Sequence, residues 1–257
     1  MKTIVVLLFI SSFFIFSCNE ENDTVVVKVR LTDAPGEYDA VNVEIQNVQI
    51  HAGENEDEGG WHNLDIMNPG IYNLLDFNNG LDTLLGTAEL PAGNISQMRL
   101  YLGENNTLVK DGATYNLNTT AGERSGLKLL ITRQFEPGVT YTMWIDFDAA
   151  RSVVDRGNGN YNLKPVIRVF TEATSGSIEG VIDPVASTPY VQAINATDTI
   201  GTIANANGYF LLRGVPEGTY KINFQPADGY VEKSIDNIEV LLGIVTNMDT
   251  VKIEQSL

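Results

Sequence analysis

Apolar residues recur at every second position along most of this chain, the pattern of half-buried β-strands. Over residues 24–32, Val25, Val27, Val29 and Leu31 share one face, while Lys28 and Arg30 take the other. Val41, Val43 and Ile45 alternate next, and Val48 and Ile50 continue on the opposite parity. That phase slip at Gln46-Asn47 predicts a β-bulge. Residues 61–66 predict a short strand, and Met98, Leu100 and Leu102 another. Leu127, Leu129 and Ile131 alternate, and Val139, Tyr141, Met143, Ile145 and Phe147 form one apolar face. Turn residues punctuate these runs at Asp33-Ala34-Pro35-Gly36, Pro69-Gly70, Pro91-Ala92-Gly93, Asp111-Gly112, Pro137-Gly138 and Asn158-Gly159. Residues 71–90 fit either a helical turn or strand ends. Residues 53–60 read as an acidic loop carrying Glu54, Glu56, Asp57 and Glu58.

The stretch Thr171–Ser177 is small, polar and glycine-containing, which predicts a domain boundary. Beyond it, strands are expected at 178–182, 191–194, 209–212, 219–224 and 238–242. Asn207-Gly208, Pro216-Glu217-Gly218 and Asp228-Gly229 supply the turns. No long helical period and no internal repeat is visible. The expectation is an all-β chain with two β-sandwich-like domains, residues 24–172 and residues 176–257.

The N-terminus departs from this pattern. Met1-Lys2 gives a short positive start, and residues 4–16 form an apolar run of about 13 residues. That suits a signal h-region and falls short of the roughly 20 residues of a spanning helix. Ser17-Cys18 follows, with the single cysteine of the chain. This junction resembles the lipobox of bacterial lipoproteins, although Phe16 stands where that family usually has a small residue. The resemblance implies a signal peptide over residues 1–17 and lipid on Cys18. A lone cysteine in an exported chain has no disulfide to make. An ordinary secretory signal with an incidental cysteine is the alternative. Residues 18–23 then form an acidic tether, Asn19-Glu20-Glu21-Asn22-Asp23 following the cysteine. It resembles the export signal that sends some Gram-negative lipoproteins to the outer face of the outer membrane, which implies a lipid-anchored, surface-exposed protein.

Charge narrows the partners. A formal net charge of −17 excludes a nucleic-acid binder, which needs a basic surface. It also argues against docking on anionic lipid by charge, so contact with the membrane rests on acyl chains at Cys18.

Several motifs in order carry a further resemblance. They are Leu31-Thr32-Asp33-Ala34-Pro35-Gly36, Tyr72-Asn73-Leu74-Leu75-Asp76, Asp146-Phe147-Asp148-Ala149-Ala150-Arg151-Ser152, Gly157-Asn158-Gly159-Asn160-Tyr161 and Leu163-Lys164-Pro165-Val166-Ile167-Arg168. Together residues 24–171 resemble a domain family of unknown function found in bacterial lipoproteins, which implies no established activity. Gly176-Ser177-Ile178-Glu179-Gly180, Asn207-Gly208-Tyr209-Phe210 and Gly214-Val215-Pro216-Glu217-Gly218-Thr219-Tyr220 resemble carboxypeptidase regulatory-like domains. That resemblance implies a transthyretin-like or starch-binding-like sandwich acting as a spacer or binding module.

For chemistry, Trp144, Asp146 and Asp148 fall opposite the apolar face of their strand. Exposed, they could stack a sugar and bond its hydroxyls, or help hold Ca²⁺, which takes oxygen ligands. Buried, Trp144 would pack under another element and the aspartates would be solvated or pair with Arg151 or Arg168; this is the favoured alternative, because large aromatics are more often core than platform. Asp155, Asn158 and Asn160 are explained by turn chemistry. His51 and His62 lack any metal motif around them. No nucleophile elbow, reactive cysteine or phosphate-cradling loop is present, so no catalytic residue is expected. The sequence therefore leads to a non-catalytic surface lipoprotein that binds a glycan or surface protein. The competing reading is a structural spacer with no small ligand, and an enzyme such as a glycoside hydrolase comes a distant third.

Overall fold

The computed structural model describes residues 23–34, 36–53, 58–66 and 69–256. The signal peptide, Cys18, the tether as far as Asn22, Pro35 and the tip of the acidic loop (54–57) lie outside these residues. Strands dominate. Those of the first module are β1 (Thr24–Ala34), β2 (Ala40–Ala52), β3 (Trp61–Asn63), β4 (Asp65–Ile66), β5 (Gly70–Asn73), β6 (Thr83–Pro91), β7 (Gly93–Leu102), β8 (Thr107–Lys110), β9 (Ala113–Asn118), β10 (Leu127–Phe135), β11 (Thr140–Asp148), β12 (Val153–Asp155), β13 (Tyr161–Leu163) and β14 (Ile167–Thr171).

Two sheets result. One runs β14-β11-β1-β6-β4; the other runs β10-β7-β2-β8-β9-β13-β12, with β3 and β5 also paired to β2. Val25, Val27, Val29 and Leu31 point inward from β1 against Val41, Val43 and Ile45 of β2 and Met98, Leu100 and Leu102 of β7, all fully buried. The bulge forms where the phase slip places it: the pairing of β2 with β7 shifts between Ile45 and Asn47. Asp111 and Gly112 both take positive φ, the requirement of a tight hairpin turn, and join β8 to β9.

Two expectations need correction, and one open reading is resolved. Asp33 and Ala34 extend β1 rather than form a turn. Residues 61–66 are two strands in different sheets, because β3 pairs with β2 and β4 with β6. Residues 71–90 resolve into β5, a 3-10 turn over Leu74–Phe77, and β6.

The second module contains β15 (Gly176–Asp183), β16 (Tyr190–Ile194), β17 (Thr199–Ile203), β18 (Tyr209–Val215), β19 (Gly218–Gln225), β20 (Lys233–Val240) and β21 (Val245–Lys252). Sheets β18-β15-β21 and β17-β16-β19-β20 enclose a separate core of Ile178, Phe210, Tyr220, Ile222 and Phe224. The sequence pattern missed β17 and β21, which are short or mostly exposed and show little alternation. No helix among the described residues is long and apolar enough to cross a membrane.

The chain enters the first module at one pole. The carbonyls of Asp23 and Thr24 accept from Ala92 and Gly138, in the β6–β7 and β10–β11 turns. β1 and the parallel β11 run from there toward the second module, as does β6 in reverse. At about 3.3 Å per residue, Thr24 to Asp33 covers about 30 Å.

Candidate functional site

The outward face of β11 meets the second module, so this strand is buried on both sides from Met143 to Phe147. Trp144 is 5% exposed and Asp146 6%. Trp144 lies parallel to Phe170 of β14 with ring centroids 5.5 Å apart, and its indole N–H donates to Asp82 Oδ2 at 2.8 Å. The open sugar platform considered for Trp144, Asp146 and Asp148 is thus replaced by a seam between modules. The sequence shows the alternation on β11, but not which element covers its polar face.

Asp82 is the hub of the seam. Its Oδ1 accepts from Arg30 Nε at 2.5 Å, and the two groups are ion-paired. Its Oδ2 accepts from Trp144 and from Arg213 Nη1 of β18, the latter at 3.0 Å. Burial pushes the Asp82 carboxyl up, but hydrogen bonds from Arg30 and Trp144 and the charges of Arg30 and Arg213 outweigh it and hold the group low. Arg168 forms the second clasp. Its Nε donates to Asp146 Oδ2 at 2.5 Å, Nη1 to Gly214 O at 2.6 Å and Nη2 to Arg213 O at 3.0 Å. Gly214 suits this closeness: its φ is +64°, and a Cβ there would come 2.5 Å from the Phe170 ring. Asn79 adds a third clasp by mimicking a strand. Its amide donates to Tyr209 O at 3.0 Å and accepts from Leu211 N at 2.7 Å, which covers the open edge of β18.

Asp148 serves the first module. Its Oδ1 accepts from Arg151 N at 2.9 Å and caps the short helix Ala149–Ser152. Burial raises its carboxyl. Asp33, 5% exposed, accepts from Ala149 N through Oδ1 at 2.9 Å. Its Oδ2 has no hydrogen-bond partner, and neither does Thr202 Oγ1. Both residues line a cavity of about 20 Å³ at the seam. Burial first, and then the charge of Asp146, raise the Asp33 carboxyl well above the usual range. Burial and the charges of Asp148 and Asp33 push Tyr190, across the seam, up to about 12.

Beside the clasps, a groove of about 520 Å³ is lined by Trp144, Phe170, Leu211, Arg213, Ile244 and Val245 among others. The remaining candidates do not converge. Asp155 Oδ1 accepts from Gly157 N at 2.7 Å, the local bond of an Asx turn. His51 is fully buried, with Nδ1 3.0 Å from Ser96 Oγ. His62 pairs with Ile50, one register position away, and so belongs to the other face. Among the described residues no group of three or more His, Cys, Asp or Glu side chains could hold a metal ion.

The family model "Domain of unknown function (DUF4382)" matches residues 24–165. The chain belongs to this family. The DUF4382 region supplies Arg30, Asp82, Trp144 and Asp146 to the seam, whereas Arg168, Phe170 and Arg213 lie beyond it. No curated protein matches the chain. Solved structures with some likeness include a type II cohesin–X-dockerin complex from Acetivibrio cellulolyticus, at 20% identity and TM-score 0.26, covering 30% of this chain and 56% of that one. The Bacillus anthracis TIE protein aligns at 15% identity and TM-score 0.26, over 90% and 40%. A family 26 carbohydrate-binding module of Eubacterium rectale Amy13K, solved with maltoheptaose, aligns at 14% and 0.22, over 90% and 97%. The chain thus spans little more than half of the first of these and less than half of the second. Likenesses this weak give no basis for assigning an activity.

Proposed function

We propose that this DUF4382 protein is a non-catalytic, lipid-anchored surface protein whose two β-modules work as one rigid binding unit, with an extracellular glycan as its ligand. The observation that carries the reading is the employment of the seam. The carboxylates and the tryptophan best placed for chemistry are consumed in structure: Asp82 holds two arginines and an indole, Asp146 holds Arg168, and Asp148 caps a helix. Carboxylates held in ion pairs and caps are poorly placed to exchange protons with a substrate. A rigid pair of sandwiches instead fixes the spacing of exposed sheet faces, which lowers the ordering cost of binding.

Anchoring rests on Cys18, because a chain of net charge −17 has little electrostatic attraction to a membrane. Cys18→Ser is expected to move the protein from the membrane fraction to the soluble fraction of the exporting cell; unchanged membrane retention would refute the anchor. Binding is tested with the soluble 19–257 fragment on a panel of neutral and acidic polysaccharides, scoring retention and released sugar together. The expected result is retention without product. Product release would make the protein an enzyme. No retention on any polysaccharide would favour the spacer reading, in which the modules only set a distance.

A further inference from the structure

The outer face of the second sheet lies away from the seam and carries a different chemistry. Register sets Gln49 of β2 opposite Asn63 of β3 on one side and Arg99 of β7 on the other. Lys128 of β10 lies opposite Arg99. Tyr101 donates from its hydroxyl to Gln49 Oε1 at 2.6 Å, and Gln49 Nε2 donates to Asn63 Oδ1 at 3.0 Å. Asn47 also donates to Asn63 Oδ1, at 2.9 Å. The Arg99 guanidinium lies 4.0 Å over the Trp61 ring, and Trp61 in turn meets His51 edge-on. All of these except His51 are half-buried or exposed.

One feature is unusual in a chain with 33 acidic and 16 basic residues: Arg99 makes no ion pair among the described residues. The Glu44 carboxylate of the neighbouring strand β2 is turned to the backbone and side-chain amides of Asn105, at 2.9 Å each. The cation–π contact with Trp61 holds the guanidinium in place, and its fork of donors suits a planar carboxylate. Next to it lies a row of phenol and amide groups that match sugar hydroxyls.

We infer that this face binds an acidic polysaccharide, seating a uronate carboxylate on Arg99 and sugar hydroxyls along Tyr101, Gln49 and Asn63. The inference rests on the glycan-binding reading above and names its ligand class and its site. Binding of the soluble 19–257 fragment to polygalacturonate, to its fully methyl-esterified form, to a sulfated polysaccharide and to a neutral glucan tests it. Polygalacturonate is expected to bind, with affinity falling about tenfold or more on esterification and by a similar factor in Arg99→Ala. Arg99→Lys keeps the charge but loses the fork, and should recover only part of the affinity. Tyr101→Phe should weaken binding while leaving thermal unfolding unchanged, which separates loss of contact from loss of fold. Equal binding of the esterified polymer, preference for sulfate or for neutral glucan, or full affinity in Arg99→Ala would each overturn the inference and leave the broader glycan reading standing. Failure to bind any of the four polymers would remove both.

Discussion

Asp82→Ala is expected to destabilise the protein by about 2–4 kcal/mol and to separate the unfolding of the two modules. Removing one member of a buried charge cluster costs about 3–5 kcal/mol when its partners are left uncompensated. Here the loss strands Arg30, Arg213 and the Trp144 N–H together. The arginine side chains are about one-third exposed, 31% and 35%, so water takes up part of the cost and the figure falls below that range. For a chain of this size the loss corresponds to about 5–15 °C in melting temperature. Calorimetry should resolve two transitions where the parent shows one. A single transition at the parent temperature would mean that the clasp contributes nothing. The sign with pH follows from the lowered carboxyl of Asp82. Its stabilisation is present above the ordinary aspartate pKa of about 3.9 and is lost as pH falls through the depressed value.

Asp33→Asn should act in the opposite direction and stabilise the protein at neutral pH. Asp33 is a buried carboxylate with one oxygen unpaired, and Asp146, Asp148, Arg168 and Tyr190 are the titratable groups around it. Of these, Asp146 takes Arg168 and Asp148 pairs with Arg151, so no cation is left for Asp33. Its folded pKa is raised. Stability is therefore full below the unfolded value of about 3.9 and is lost progressively as pH rises toward the raised one. Asparagine keeps the acceptor for Ala149 N and turns a donor toward the cavity that Thr202 Oγ1 also lines. The gain should be about 1–3 kcal/mol at pH 7.5 and close to nothing at pH 4, as read by denaturant unfolding at both pH values. A gain independent of pH, or a loss at pH 7.5, would show that Asp33 is not the strained group.

Most of the architecture is legible in residue order. The inward faces of β1, β2 and β7 follow from period two, and the β2 bulge follows from its parity slip. Asp111-Gly112 and Asn158-Gly159 mark hairpins because their backbones need positive φ. The seam is not legible, for a physical reason. Arg30 reads as the solvent side of β1, and nothing local ties it to Asp82, 52 positions away. Asn79 lies in the stretch that fits either a helical turn or strand ends, but its task is to cover the edge of β18, more than a hundred residues on. Burial of Trp144 is the favoured reading from the sequence, but alternation records one covered face and is silent about a second module arriving on the other. The Trp61–Arg99 face was missed because its members come from four strands and carry no shared motif.

The entry point of the chain has a consequence for reach. Asp23 and Thr24 are held by the β6–β7 and β10–β11 turns, about 20–30 Å along β1 from the clasps. A lipid attached ahead of Asp23 would place those turns at the foot of a column. The first module would then stand as its shaft, and the second would be the head that meets the surroundings first. In such a column the stiffness of the Asp82 junction, more than the length of the tether, would set how far from the bilayer the head is held.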